Sequence, residues 1–360
     1  MKKIKVLLLG AGGNVSQGIL KAIRSYDFAK EQVEVEVVGA CISPESLGLY
    51  MCDKACVGPY ASDPSFTDWV IDLCNQEDID LILTGVEENI IALQRDIDKI
   101  EHQTKAIFVA SPLESLRLGQ DKLLTCQWLE EHELEHPAYC RLEDEGSVRQ
   151  LVEKVGFPLI AKPCHGKGSR GVCYLKDQAA LDSLQVKDDY VLQECIGDAS
   201  KEYTVGCYCD KQGQLQEIIV MHRKLENGYS AITEVVDDPV VYQEAKRVCE
   251  AFRPCGPLNI QMRKANEKRA VCFELNVRFS GTTPMRDHFG YRDVIAMIKE
   301  YCLEEPIKEC FQIRKGMACR YINEFYLDMN PVEQLQEQDK VLDMDSFAFA
   351  EQHVERSGKR

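Results

Sequence analysis

The sequence predicts a mixed chain: an N-terminal α/β unit on a parallel sheet, followed by a larger α+β half. Three observations predict it. Over the first hundred or so positions, short apolar strand segments alternate with helical ones, the pattern of a parallel sheet covered on both faces. Beyond residue 200 the texture changes to alternating runs joined by a short polar turn, an antiparallel hairpin pattern. The length of 360 residues exceeds one ordinary core, and 45% hydrophobic with 28% charged residues is the balance of a folded chain.

The elements follow in order. Ile4–Leu9 reads as a buried strand, Gly10-Ala-Gly-Gly13 as a tight turn, and Ile19–Arg24 as a helix. Further strands are expected at Val33–Ala40, Ala55–Val57, Leu81–Thr84 and Ala106–Ala110, with a helix near Phe66–Asn75. From Ser111 onward, helices are expected at Leu113–Leu118, Lys122–His132 and Val148–Val155, and strands at Pro158–Ala161, Gly171–Tyr174 and Tyr190–Gln193. Glu202–Asp210 and Leu215–Met221 form the hairpin. A helix near Val240–Phe252 and strands at Leu258–Met262 and Ala270–Asn276 complete the second half. After Met329 the chain is polar and acidic and reads as a tail.

Charge and cysteines exclude several classes. A net charge of −16 repels nucleic acid and anionic membranes, while a local basic pocket can still hold a phosphorylated small molecule. No stretch approaches the ~20 apolar residues of a membrane span, and the first ten residues lack the pattern of a signal peptide. The 17 cysteines are odd in number, scattered, and without metal-type spacing, so they read as small buried hydrophobes in a reducing, cytoplasmic setting. The turn at Gly10 invites a dinucleotide reading, but Val15 stands at the third glycine position and no acid ends the second strand. A tight β-to-α turn is the better reading.

Four features in the second half carry chemistry together. Lys122 opens a helix after Asp121, and Lys162 ends a buried strand, where a charge needs a partner. The strand runs into Cys164-His-Gly-Lys167-Gly-Ser-Arg170-Gly171, whose glycines and cations suit a polyphosphate and equally fit a flexible hairpin. Gln193-Glu194-Cys-Ile196 and Lys201-Glu202 can present backbone and carboxylate groups to a nucleoside. Finally, alternation places Glu274, Asn276 and Arg278 on one strand face, with Gln261 on another strand. Glutamate, asparagine and glutamine supply the oxygen donors that Mg²⁺ prefers, and an arginine beside them can meet a transferring phosphoryl group.

These motifs, in this order, resemble the ATP-grasp superfamily, and within it the carbamoyl-phosphate-synthase large-subunit-like and biotin-carboxylase-like ligases. The resemblance covers roughly residues 112–290. It implies a pre-ATP-grasp domain over 1–111 and a two-subdomain ATP-grasp fold: a lid over 112–190 and a large subdomain with the metal site over 191–328, before a tail at 329–360. It implies that Lys122, Lys162 and Lys167 contact the phosphates of ATP, that Glu194 and Ile196 read adenine, and that Glu202 reads ribose. Glu274 would bridge two Mg²⁺ ions, completed by Gln261 and Asn276. Where many relatives carry an acid, this chain has the neutral Gln261, which makes the second ion conditional; Mn²⁺ can substitute. Arg278, with Lys162, would stabilise the transition state.

The implied reaction is activation of a carboxylate as an acyl phosphate, with ADP released, for attack by an amine or similar nucleophile such as a thiol. Both partners would be small molecules, and a homodimer is compatible with the sequence. Arg223 and Lys224, after the hairpin, and Arg286, in a small-residue loop, are candidate substrate contacts. Glu87-Glu88-Asn89 stand at a strand end of the first unit, to touch substrate or to cap a helix. Two alternatives remain: a carboxyphosphate-forming enzyme like carbamoyl-phosphate synthase, and an ATP-binding partner protein whose chemistry has decayed. A dehydrogenase is a more distant reading.

Overall fold

The computed structural model describes residues 1–346 apart from 167, 169, 186–187 and 337–339. The chain divides into two compact units. One comprises residues 1–109, 297–305 and 321–360, and the other residues 110–296 and 306–320.

The first unit holds a parallel sheet of β1 (Lys2–Leu9), β2 (Val33–Cys41), β3 (Lys54–Val57), β4 (Leu81–Thr84) and β5 (Ile107–Phe108), in the spatial order β3-β2-β1-β4-β5. Strand interiors are continuously apolar: Val6, Leu7, Leu8 and Leu9 are all buried, as expected when helices cover both faces. The glycine turn admits the helix Asn14–Ser25, with Gly10 at φ +65°.

The second unit contains two antiparallel sheets. The smaller runs β6 (Tyr139–Arg141), β7 (Leu159–Pro163), β8 (Cys173–Leu175) and β9 (Tyr190–Glu194), in the order β6-β9-β7-β8. Its inner face packs Leu159, Ala161 and Leu192 against Leu151 of the helix Glu145–Val155. The larger sheet is built from β10 (Glu202–Cys209), β11 (Leu215–Glu226), β12 (Tyr229–Val235), β13 (Gly256–Asn266), β14 (Arg269–Asn276) and β15 (Met317–Cys319), in the order β14-β13-β10-β11-β12-β15. The helix Pro239–Phe252 covers its back with Val241, Ala245, Val248 and Cys249. Expected strands β10 and β11 form the hairpin. β12 and β15 were not anticipated, because their mixed polar sequences carry no clean alternation.

The polar tail expected after Met329 is partly structured. Helix Met329–Gln336 buries Val332 and Leu335, and β16 (Leu342–Asp343) adds antiparallel to β3 of the first sheet. Two apolar anchors outweigh the polar composition between them. Among the described residues no helix is long and apolar enough to cross a membrane. All 17 cysteines are free thiols, most of them buried.

Candidate active site

The candidate site is a cleft in the second unit between the two sheets. Lys122, Ile160 and Lys162 line one wall, and Glu202, Gln261 and Glu274 line the other. Each side chain is aimed by a local device. Asp121 caps the helix Lys122–Glu131, accepting from the N–H groups of Leu123 and Leu124, which fixes the first turn and Lys122 with it. The Lys122 Nζ donates to the carbonyl of Gly166 at 3.1 Å, joining the helix to the glycine loop. Gly168 and Arg170 also line the cleft. Gly228 lies so near the loop that a Cβ there would stand 2.7 Å from the Gly168 oxygen. Lys167 lies outside the described residues.

Lys162 extends from β7, with its ammonium 4.8 Å from the centroid of the Phe273 ring. Desolvation lowers its pKa, and the charge of Glu274 partly restores it. A cation so placed is poorly compensated by water and well placed for anionic oxygens. Ile196 and Glu194 also line the cleft. The Glu194 carboxylate accepts from the Ala138 N–H at 3.2 Å, which holds the strand end in place.

The floor is a set of cross-strand rows on one face of the large sheet. Thr204 stands opposite Gln261, which stands opposite Glu274; Gly206 stands opposite Asn259, which stands opposite Asn276. Directly opposed residues share a face, so the three metal candidates sit together. A bulge sharpens the arrangement. Met262 pairs with Cys272 while Gln261 pairs with Glu274, so Phe273 is the extra residue and turns into the cleft beside Glu274. Simple alternation would have sent Phe273 to the opposite face.

Glu274 Oε1 accepts from the carboxamides of Gln261 and Asn276, each at 3.3 Å. The two carboxamide oxygens face arginines: Arg223 donates to Gln261 at 2.7 Å and Arg278 to Asn276 at 2.9 Å. Arg278 also donates to the carbonyl of Phe279. One carboxylate with two carboxamides fits a hard divalent cation that takes its remaining ligands from phosphate oxygens and water. Turning either amide about its last bond would exchange nitrogen for oxygen toward the cation. Among the described residues no group of three or more His, Cys, Asp or Glu forms a metal cluster.

Three of the expected contacts meet protein partners. Glu202, expected at ribose, lines the cleft and is paired: Arg223 donates through Nε and Nη2 to Oε1, and Arg263 through Nε and Nη2 to Oε2. Burial raises its pKa, but the two guanidinium charges overcome that and hold it below the usual glutamate value. Arg223, expected at the substrate, is buried in this pairing, while Lys224 points to the other face of β11 and is exposed outside the cleft lining. Arg286, expected at a substrate carboxylate, is only 1% exposed and donates to Thr204 Oγ1 at 3.1 Å and to Asn259 Oδ1.

Arg286 shares its buried surroundings with Asp293, whose pKa burial raises to about 7, against the opposing pull of Arg286. The unfolded carboxyl titrates near 3.8, so the folded form holds its proton longer. Stability from this group is full below the unfolded value, falls as pH rises toward about 7, and is level above. Denaturant titrations across that window should show the decline in the native chain and its absence in Asp293→Asn.

Sequence reasoning passed over Arg263, Phe273, Thr204 and Asn259. Arg263 lies two residues after Gln261 on one strand face, so alternation was the available signal. Phe273 had none, because the bulge is a property of the pairing.

The first unit has its own cleft of about 690 Å³ at the C-terminal ends of β1 to β4, where ligands of open α/β sheets bind. Glu88 and Asn89 line it with Gly10, Gly13, Tyr60 and Trp69. A Cβ on Gly12 would meet Ser46 Oγ at 2.7 Å, so this glycine makes room for a neighbouring side chain rather than for a pyrophosphate.

Comparison with known proteins bears on both units. Residues 188–325 match a family model described as ATP-grasp in the biosynthetic pathway with Ter operon, and residues 8–107 match the PylC-like N-terminal domain. The carbamoyl phosphate synthase large chain of Methanosphaerula palustris is 25% identical over 317 residues, covering 78% of this chain and 28% of that protein. The chain thus spans little more than a quarter of that relative. Among solved structures, N5-carboxyaminoimidazole ribonucleotide synthetase from Thermus thermophilus superposes with a TM-score of 0.65 at 15% identity, covering 87% of this chain and 82% of that one. Biotin carboxylase from Campylobacter jejuni gives 0.67 at 18% identity, covering 88% and 75%. At such identities the likeness is one of fold. The chain thus carries a match to an ATP-grasp domain over residues 188–325, preceded by a match to a PylC-like N-terminal domain over residues 8–107.

Proposed function

We propose that this protein is an ATP- and Mg²⁺-dependent ligase that activates a small carboxylate as an acyl phosphate for attack by an amine or similar nucleophile. The observation that carries it is the opposition, across one cleft, of Lys122 and Lys162 to Gln261 and Glu274 on the large sheet, with Asn276 in the adjoining row bonded to Glu274. Cations for polyphosphate face oxygen donors for a divalent ion, which is the charge arrangement phosphoryl transfer needs. Three of the solved neighbours are described as complexes with ADP, one of them also with its magnesium salt and bicarbonate.

Lys122 and Lys162 hold the phosphates, the apolar wall of Ile160, Ile196 and Phe273 takes the base, and Glu194 fixes the strand end beside it. Mg²⁺, or Mn²⁺ in its place, supplies neutralisation of phosphate charge, and Glu274, Gln261 and Asn276 hold it. An oxygen of the carboxylate attacks the γ-phosphorus as its bond to the β-phosphate oxygen breaks and ADP leaves. Arg278, next to Asn276, is placed to balance charge on the transferred group. The nucleophile then attacks the acyl carbon, phosphate departs, and an attacking amine loses its proton.

Bicarbonate as the carboxylate is the second reading, favoured by the kinship with carbamoyl phosphate synthase large chains. Incubation with Mg-ATP and pooled carboxylates and amines should release ADP and phosphate. AMP with pyrophosphate would overturn the proposal, and ADP release on bicarbonate alone would select the second reading.

A further inference from the structure

Arg286 belongs to no part of the reaction derived above, yet it is among the largest fully buried side chains of the molecule. The sheet makes specific room for it. Position 206 is glycine, and a Cβ there would lie 2.6 Å from Arg286 Nη1 and 2.8 Å from Cζ. From the helix Thr283–His288 the guanidinium reaches back over this gap to Thr204 Oγ1 and Asn259 Oδ1, while the Thr204 hydroxyl itself donates to Asn259 Oδ1 at 2.7 Å. Three buried polar groups are thereby closed into one knot, each of them 2% exposed or less.

The knot sits in register with the metal candidates. Thr204 is the cross-strand partner of Gln261, and Asn259 is the cross-strand partner of Asn276. Both bonded residues therefore lie on the cleft face, each beside a carboxamide that must turn its oxygen toward a cation. Side chains on opposed positions are close enough to set one another's rotamers.

Resting on the nucleotide-and-metal reading of the cleft, we propose that Arg286 is a positioning residue for the metal end, acting through Thr204 and Asn259 on Gln261 and Asn276. It contacts no substrate. Its role is to keep the sheet face from relaxing, so that two neutral ligands stand ready. Partners behind the ligands of a metal commonly govern affinity in this way.

Manganese binding, read by electron paramagnetic resonance in the presence of ADP, tests this on the full chain. Arg286→Met should weaken Mn²⁺ affinity by about tenfold or more, with Arg286→Lys intermediate. ADP affinity without metal should stay unchanged in both, since Lys122 and Lys162 are untouched. Unchanged Mn²⁺ affinity in Arg286→Met, or parallel loss of metal-free ADP binding, overturns the proposal. If Arg286→Met does not fold, Thr204→Val decides. It removes the hydroxyl that bonds both Arg286 and Asn259 opposite Gln261, and Mn²⁺ affinity must fall while ADP affinity holds; equal Mn²⁺ affinity overturns the proposal. Glu274→Gln serves as the reference. Loss of Mn²⁺ there and not in the Arg286 and Thr204 variants refutes the positioning role alone, whereas no nucleotide-dependent Mn²⁺ binding in the native chain refutes the cleft reading itself.

Discussion

Replacing Glu274 by alanine is expected to lower ADP formation by at least about a hundredfold while leaving the fold intact. Glu274 is the only carboxylate in the row with Gln261 and Asn276, and both carboxamides direct their N–H groups at its Oε1. Without it the row offers neutral donors alone, and the charge of a divalent cation beside triphosphate is no longer balanced by protein. The side chain is partly exposed, so its removal opens no large cavity in the core. A coupled assay of ADP release, beside a melting curve, reads both effects. Turnover at the native rate would remove the cleft as the catalytic site. An ATP-binding partner protein with decayed chemistry would show no ADP release in the native chain either.

The largest effect on stability is expected at Glu202. Its two oxygens are each held by a guanidinium, Arg223 on one side and Arg263 on the other, and the Glu202 side chain is 5% exposed. Intact, such a pairing is nearly neutral in free energy, because desolvation offsets attraction. Breaking it is different: Glu202→Ala leaves Arg223 buried beside a second cation, at a cost of about 3–5 kcal/mol. Urea unfolding at neutral pH checks the value, and a loss well below this range would show that the arginines find other partners. The pairing also predicts a direction with pH. Glu202 is held below its ordinary value of 4.5, so its contribution is present above that pH and is lost as pH falls through the lower folded value. Arg223 also donates to Gln261, so Glu202→Ala should disturb nucleotide binding through the floor of the cleft rather than through a lost ribose contact.

Much of this was legible in the chain of residues, for reasons that can be named. The parallel sheet was readable because buried strands such as Ile4–Leu9 must be apolar throughout, and the hairpin because an alternating run met a glycine-containing turn. Lys162 was readable because a cation at the end of an apolar strand needs a reason. Glu274 and Asn276 were readable because a period of two puts them on one face. Arg286 and Glu202 meet protein partners that the sequence does not announce, for a common cause. A charged side chain carries no local mark of whether it will meet water, a ligand or another charge, and the partners that decided it lie 27 and 82 residues away from Arg286 and 21 and 61 residues away from Glu202.

By itself, then, the sequence determined the fold class and the residue types that meet in the cleft, since these follow from short-range periodicity and residue type. Tertiary structure alone decided which polar groups pair with one another. Register set the rows that join Gln261 to Glu274 and Asn259 to Asn276, a bulge turned Phe273 inward, and a missing Cβ at Gly206 admitted Arg286. Those outcomes depend on strands meeting across long separations in the chain, where steric room and charge pairing are settled only once the sheet has formed.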